Sequence, residues 1–234
     1  MKQQAYAGVV FDMDGILIDS EPLFRRAAQE AARDLGHHLS DETYAMWMGL
    51  PPRAVEAAVA ESMGPSFPLR AFRDEFRRIW VAQTEQHGMP PQPGMAELLA
   101  GLRERGIPFG VATSTQREQA LRSLELAGLR PYIEVLVAGN EVTEGKPAPE
   151  IFLRAAASIG VAATRCVALE DSSVGVHAAA AAQMLTIMVP DLHQPDAATA
   201  ALADYIIPDT ESAARVVLTL FDALPGATYL KPPA

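Results

Sequence analysis

The chain has 234 residues, of which 49% are hydrophobic and 21% charged, an ordinary composition for a globular protein with a buried core. Its formal net charge of −10 argues against nucleic acid or an anionic membrane surface as a partner. The single cysteine, Cys166, excludes an intramolecular disulfide and a multi-cysteine metal site. No apolar run reaches the roughly 20 residues of a membrane span, and the first residues lack a secretory signal pattern. We therefore expect a cytoplasmic protein that is a monomer by default.

Short apolar runs alternate with helical patterns over most of the chain. The candidate strands cover residues 7–11, 108–113, 134–138, 166–169, 185–189 and 205–207. The candidate helices cover residues 94–105, 116–127, 149–159, 172–182 and 211–223. Several of the strand runs are continuously apolar, which is typical of parallel strands buried on both faces. The alternation predicts an α/β fold with a Rossmann-like parallel sheet and helices on both of its faces.

One segment breaks this alternation. Between residues 19 and 88 only helical patterns occur, and aromatic residues such as Phe72 and Phe76 recur at helical spacing. We predict an α/β core made of residues 1–18 and 89–234, with residues 19–88 inserted after the first strand as an all-helical domain.

Acidic residues follow two of the predicted strands. Asp12 and Asp14 come after the first strand, where Gly15 permits a sharp turn, and Glu170 and Asp171 come after the fourth. In parallel α/β sheets, ligands bind at the carboxyl ends of the strands. By itself, the first pair favours a plain acidic turn. Two pairs facing one crevice suit Mg²⁺, which prefers oxygen ligands and relieves the repulsion between carboxylates.

Hydroxyl residues end the second predicted strand. Thr115 and Glu118 have the spacing of a capping box, so we interpret Thr115 as the cap of the next helix. Thr113 lies at the strand end instead, where a hydroxyl and the amides of a helix N-terminus can bind phosphate.

A lysine lies in a loop between glycine and proline. Gly145, Lys146 and Pro147 are followed by a second proline, Pro149. Most loop lysines are merely solvated, but the prolines favour a rigid loop that brings a fixed positive charge to a phosphoryl oxygen.

Together these stretches resemble the haloacid dehalogenase superfamily of phosphohydrolases. The matching motifs lie at residues 11–21, 111–115, 145–149 and 169–172, in the order that the family has. The resemblance covers nearly the whole chain and is similar in detail to the β-phosphoglucomutase-like phosphatases, which carry a small helical cap after the first motif. Four ordered motifs are far more specific than any one of them.

The resemblance implies a role for each matched residue. Asp12 would be the nucleophile that forms an aspartyl-phosphate, Asp14 the general acid and base, and Lys146 the neutralising charge. Phosphate would be bound by Thr113, by Ser114 through its amide, and by Lys146. The Mg²⁺ ligands would be Asp12, Asp14 through its backbone carbonyl, Asp171, and Glu170 directly or through water.

The choice between hydrolysis and phosphoryl transfer to sugar depends on the cap. Sugar phosphomutases of this type carry a histidine at the cap hinge, and Phe24 occupies the matching position here. These mutases also bind the distal phosphate of the sugar with a cap arginine. Arg53, displaced by about one position, is the candidate substrate-binding residue here. We therefore expect a Mg²⁺-dependent phosphatase acting on a small phosphorylated metabolite such as a sugar phosphate. A sugar phosphomutase is the alternative.

Two further points stay open in the sequence. A non-catalytic binding module on the same fold is disfavoured, because Asp12, Asp14 and Lys146 are all present. Met46 and Trp47 precede the predicted specificity turn, and they either line a substrate pocket or fill the core of the cap.

Overall fold

A computed structural model describes residues 6–47, 52–190 and 194–222, without the side chains of residues 52 and 53. The strands are β1 Gly8–Phe11, β2 Phe109–Thr113, β3 Val135–Ala138, β4 Cys166–Glu170, β5 Leu185–Met188 and β6 Tyr205–Ile206. The helices are α1 Glu21–Asp34, α2 Asp41–Ala45, α3 Pro52–Met63, α4 Leu69–His87, α5 Met95–Glu104, α6 Arg117–Leu126, α7 Glu150–Ser158, α8 Ser173–Ala181, α9 Ala197–Leu202 and α10 Thr210–Asp222.

The strands form one parallel sheet in the order β3-β2-β1-β4-β5-β6. β1 lies near the centre, and its last residue, Phe11, is in register with Val111 of β2 and Leu169 of β4. The carboxyl ends of β1, β2 and β4 therefore meet at one edge of the sheet, where a parallel α/β fold binds its ligands.

Both faces of the sheet are buried, as the continuous apolar runs predict. Val9 and Phe11 of β1 belong to one hydrophobic cluster, which includes residues of α5, α6 and α10. Val10 points to the other face and belongs to a second cluster with residues of α7 and α8. Successive side chains of a strand face opposite sides, so helices cover both faces and the predicted architecture is confirmed.

The segment between β1 and α5 is helical in its described part. α1 and α4 carry an aromatic stack, in which the ring of Phe24 lies 6.0 Å from that of Phe76 and 5.6 Å from that of Trp80. Trp47 is only 5% exposed and its indole N–H donates to Ser62 Oγ, so Trp47 fills the core of the insert. Met46 is 67% exposed. Of the specificity turn expected at residues 49–53, residues 49–51 and the side chains of residues 52 and 53 lie outside the described part of the chain.

The two ends of this insert run side by side. Ile18 pairs with Pro91 in an antiparallel bridge. The amide of Asp19 donates to the Pro90 carbonyl at 2.9 Å, and that of Gln92 donates to the Leu17 carbonyl at 3.0 Å. A short hydrogen-bonded ladder thus joins the chain where it leaves the sheet domain and where it returns.

The structure adds some elements that the sequence patterns do not indicate. α9 has only six residues and is rich in alanine, so it has too few turns to display a helical period. The described residues also form 3₁₀ turns at Arg130–Tyr132, Gly139–Glu141 and Ala163–Arg165. None of the helices in the described part of the chain is long and apolar enough to cross a membrane.

Candidate active site

The candidate site lies where β1 and β4 end. Asp12 follows β1 directly, and its amide donates to the Leu169 carbonyl of β4 at 2.9 Å. Glu170 is the last residue of β4 and is completely buried, while Asp12 is 7% exposed. The two carboxylates are therefore fixed side by side in an environment with little water.

Lys146 lies between these carboxylates. Its Nζ is 2.5 Å from Asp12 Oδ1 and 2.5 Å from Glu170 Oε1, and its side chain is almost fully buried. Burial acts to lower the pKa of Lys146, but the charges of Asp12 and Glu170 outweigh it and raise the pKa. Lys146 therefore stays protonated, and the three groups together carry one net negative charge when both carboxyls are ionised.

The second oxygen of Glu170 is equally occupied. Glu170 Oε2 accepts hydrogen bonds from the amides of Asp171 and Ser172 and from the Ser172 hydroxyl, at 3.0 to 3.1 Å. Gly175, in the first turn of α8, lies so close that a Cβ there would be 1.8 Å from Glu170 Oε1. Only glycine leaves room for this carboxylate.

An all-oxygen cluster suitable for a cation surrounds Asp12. Carboxylate oxygens of Asp12, Glu170 and Asp171 lie within 4.8 Å of one another. Burial raises the pKa of Asp12 to about 7, a shift that Lys146 opposes and Glu170 reinforces. Asp171 lies against Gly15, where a Cβ would be 2.3 Å from its Oδ2. These residues fit Mg²⁺, because the ion prefers oxygen donors and favours ionised carboxyls.

Asp14 is held by hydroxyl groups from two different segments. Ser20 Oγ donates to Asp14 Oδ1 at 2.8 Å, and Thr115 Oγ1 donates to Asp14 Oδ2 at 2.8 Å. Burial raises the pKa of Asp14, while these two hydrogen bonds act to lower it. The carboxylate thus has both oxygens engaged by neutral donors.

The interpretation of Thr115 as a helix cap is wrong. α6 begins at Arg117 after Gln116, and its first amide, that of Arg117, donates to Asn140 Oδ1 at 2.9 Å rather than to Thr115. The Thr115 hydroxyl bonds Asp14 instead, 101 residues away along the chain. The contact of Ser20 with Asp14 is not predicted from the sequence, where the one signal for Ser20 is its place near the end of the first motif.

Of the other predicted phosphate ligands, some lie at the candidate site and one cannot be placed. Thr113 is 1% exposed, and its Oγ1 accepts the amide N–H of Thr115 at 3.1 Å. Ser114 is exposed on the same loop. The side chain of Arg53 lies outside the described residues. Direct contacts and close approaches therefore unite Asp12, Lys146, Glu170 and Asp171. Asp14 lies two residues after Asp12 in the chain and is joined to Thr113 through Thr115.

A family model for the haloacid dehalogenase-like hydrolases matches residues 9–189 of this chain. The chain belongs to that family. The match begins in β1 and extends just past β5, so it contains every residue of the candidate site. The predicted family and its hydrolase class are confirmed.

Curated relatives and solved structures agree with this assignment. The chain is 33% identical to a phosphorylated carbohydrates phosphatase of Thermotoga maritima, over 74% of this chain and 80% of the relative. It is 32% identical to hexitol phosphatase B of Escherichia coli K12, over 77% of this chain and 82% of the relative. A family hydrolase from Deinococcus radiodurans R1, solved with bound phosphate and sodium, superposes with a TM-score of 0.78. The two sequences are 29% identical, and the superposition covers 96% of this chain and 100% of the other.

Proposed function

We propose that this protein is a Mg²⁺-dependent phosphatase that hydrolyses a small phosphorylated carbohydrate through an aspartyl-phosphate. The observation that carries the proposal is the contact of Lys146 with Asp12 and Glu170, beside an Asp14 carboxylate held by two hydroxyls. A nucleophile, a proton donor and a fixed positive charge at one edge of the sheet are what phosphoryl transfer requires.

In the first step, a carboxylate oxygen of Asp12 forms a bond to phosphorus while the ester oxygen leaves. Asp14 gives its proton to that leaving oxygen, so an alcohol departs rather than an alkoxide. The Lys146 ammonium neutralises negative charge on Asp12 and the phosphoryl oxygens.

In the second step, water attacks the phosphorus of the aspartyl-phosphate. Asp14, now ionised, accepts a proton from that water, and the bond between phosphorus and Asp12 breaks. Inorganic phosphate leaves and both side chains return to their starting states. Thr113 and the Ser114 amide bind the phosphoryl oxygens in this proposal. The Thr113 hydroxyl accepts a hydrogen bond from the Thr115 amide, so its own proton is available for donation to phosphate.

Mg²⁺ would be held by the carboxylates of Asp12 and Asp171, by the Asp14 backbone carbonyl, and by Glu170 directly or through water. When bound, the ion supplies positive charge that offsets the phosphate dianion. The bonds that Glu170 already makes support a second task for it, which is to fix Lys146.

Residues 19–88 act in this proposal as a cap that selects the substrate over the core of residues 1–18 and 89–234. Phe24 supports hydrolysis over a mutase reaction, because its ring has no ionisable group and is stacked against Phe76 and Trp80 of α4. The names of the relatives at 33% and 32% identity support a sugar or hexitol phosphate as the substrate.

Phosphorus NMR with Mg²⁺ and a panel of sugar and hexitol monophosphates tests the proposal. We expect free inorganic phosphate from one or a few substrates, lost on adding EDTA and in Asp12→Asn. The matched control is Asp209→Asn, because the Asp209 carboxylate bonds only the amide and hydroxyl of Ser212 at the start of α10, where asparagine is also a good cap. Activity that survives Asp12→Asn contradicts the assigned nucleophile, and interconversion of sugar phosphates without phosphate release establishes the mutase.

A further inference from the structure

We propose that Thr115 is a positioning residue for catalysis, whose hydroxyl sets the place of the Asp14 carboxylate during proton transfer to the leaving group. This inference rests on the proposed function, in which Asp14 protonates the ester oxygen. It gives Thr115 a task separate from phosphate binding and from the start of α6.

Thr115 positions Asp14, and not the reverse, because Thr115 is held in place by contacts of its own. Its amide donates to Thr113 Oγ1 at 3.1 Å, and its carbonyl accepts the Gly139 amide at 3.1 Å. Gly139 packs so tightly on the same loop that a Cβ there would be 2.2 Å from the Ser114 carbonyl oxygen. The backbone of Thr115 is therefore fixed by Thr113 at the end of β2 and by the turn after β3. This holds whether or not the Thr115 hydroxyl bonds Asp14.

Asp14 lacks comparable support for its own carboxylate. Asp14 is followed by Gly15, a residue with a left-handed φ of 83°, in the turn that leads to the insert. In the described contacts its two oxygens have one hydroxyl each, Ser20 on Oδ1 and Thr115 on Oδ2. Ser20 begins the insert, whereas Thr115 belongs to the sheet domain. Without the Thr115 hydroxyl, the described contacts leave Ser20 as the sole hydroxyl that holds the Asp14 carboxylate.

A misplaced acid has a characteristic kinetic effect. An alkyl phosphate needs a proton on its departing oxygen, whereas an aryl phosphate such as p-nitrophenyl phosphate releases a stable phenolate and needs little help. The constant kcat/KM reports events up to the first phosphoryl transfer, so it senses the leaving group even when hydrolysis of the aspartyl-phosphate limits kcat. Loss of the Thr115 hydroxyl should penalise the alkyl ester selectively.

The test measures kcat/KM of Thr115→Val, which keeps the shape, and Thr115→Ser, which keeps the hydroxyl. For the best sugar phosphate we expect Thr115→Val to lose on the order of tenfold or more, and for p-nitrophenyl phosphate less than about threefold. Thr115→Ser should retain the wild-type ratio of the two substrates. Thr219→Val is the matched control, because the Thr219 hydroxyl bonds only the Arg215 carbonyl on the exposed face of α10.

The outcomes separate this inference from the proposed function. An equal loss on both esters, or no loss on either, overturns the role of Thr115 while the phosphatase stands. Failure of Thr115→Ser to restore the ratio overturns it as well. Absence of activity towards every ester in the wild-type protein instead refutes the proposed function. Thermal unfolding accompanies each assay, and Thr115→Ala replaces the valine variant if the latter does not fold.

Discussion

Gly175 offers a prediction in which local preference and tertiary contact disagree in sign. It lies in the first turn of α8, and alanine is favoured over glycine in helices by about 1 kcal/mol. Helix propensity alone therefore predicts that Gly175→Ala stabilises the protein. The structure predicts the reverse, because a Cβ at this position would be 1.8 Å from Glu170 Oε1 and 1.9 Å from its Cδ.

The loss of stability expected for Gly175→Ala depends on the contacts that the Glu170 carboxylate makes. Real Cβ contacts are essentially never shorter than 3.0 Å, so the carboxylate must retreat by more than an ångström. It is completely buried and bonds Lys146, the amides of Asp171 and Ser172 and the Ser172 hydroxyl, so a retreat breaks several of these contacts. Disrupting a buried ion pair costs about 3–5 kcal/mol, which leaves a net loss of about 2–4 kcal/mol after the gain in propensity.

Urea unfolding followed by far-UV circular dichroism measures this loss. Gly145→Ala is the control, because the space around Gly145 is open and the substitution should leave stability unchanged or slightly raised. In the background Glu170→Ala, the obstacle is gone, and Gly175→Ala should no longer destabilise. A Gly175→Ala protein as stable as the wild type, or an equal loss in both backgrounds, would refute the collision.

Three further predictions concern the charges of the site. Lys146→Met leaves two buried carboxylates without their cation, so the free energy of unfolding at pH 8 should fall by about 3–5 kcal/mol and recover in part with Mg²⁺; an unchanged value contradicts the buried ion pairs. With a pKa of about 7, Asp12 is largely protonated at pH 6 without metal, so Mg²⁺ binding should release protons and its calorimetric heat should vary with the buffer. Gly15→Ala forces a Cβ against Asp171 and should weaken Mg²⁺ binding on the order of tenfold, whereas Gly36→Ala, with a similar φ of 79° and open space, should not.

The sequence predicts the sheet well because its strands are buried on both faces. Continuous apolar runs such as the one ending at Phe11 mark such strands, and their observed limits differ from the predicted ones by only one residue at either end. The proximity of Asp12 and Glu170 is predictable too, because residues at the carboxyl ends of adjacent parallel strands meet at one edge of the sheet. The helix α9 escaped prediction because six alanine-rich residues carry no readable period.

Contacts between distant segments account for the parts that the sequence does not predict. The spacing of Thr115 and Glu118 is the same whether the threonine caps a helix or reaches a carboxylate 101 residues away. Likewise, the sequence leaves Trp47 open between pocket and core, and only its burial and its bond to Ser62 decide for the core. Such choices depend on partners that local patterns do not specify.

The ladder that joins Leu17 with Gln92 and Asp19 with Pro90 has a consequence for how this protein evolves. The paired ends close the insert as a loop, and the entropic cost of such closure grows only with the logarithm of the loop length. A longer, shorter or unrelated segment can replace the insert without disturbing any strand of the sheet. In the proposed function the insert recognises the substrate and the sheet domain cleaves its ester, so the two can diversify separately as long as a hydroxyl such as that of Ser20 still holds Asp14.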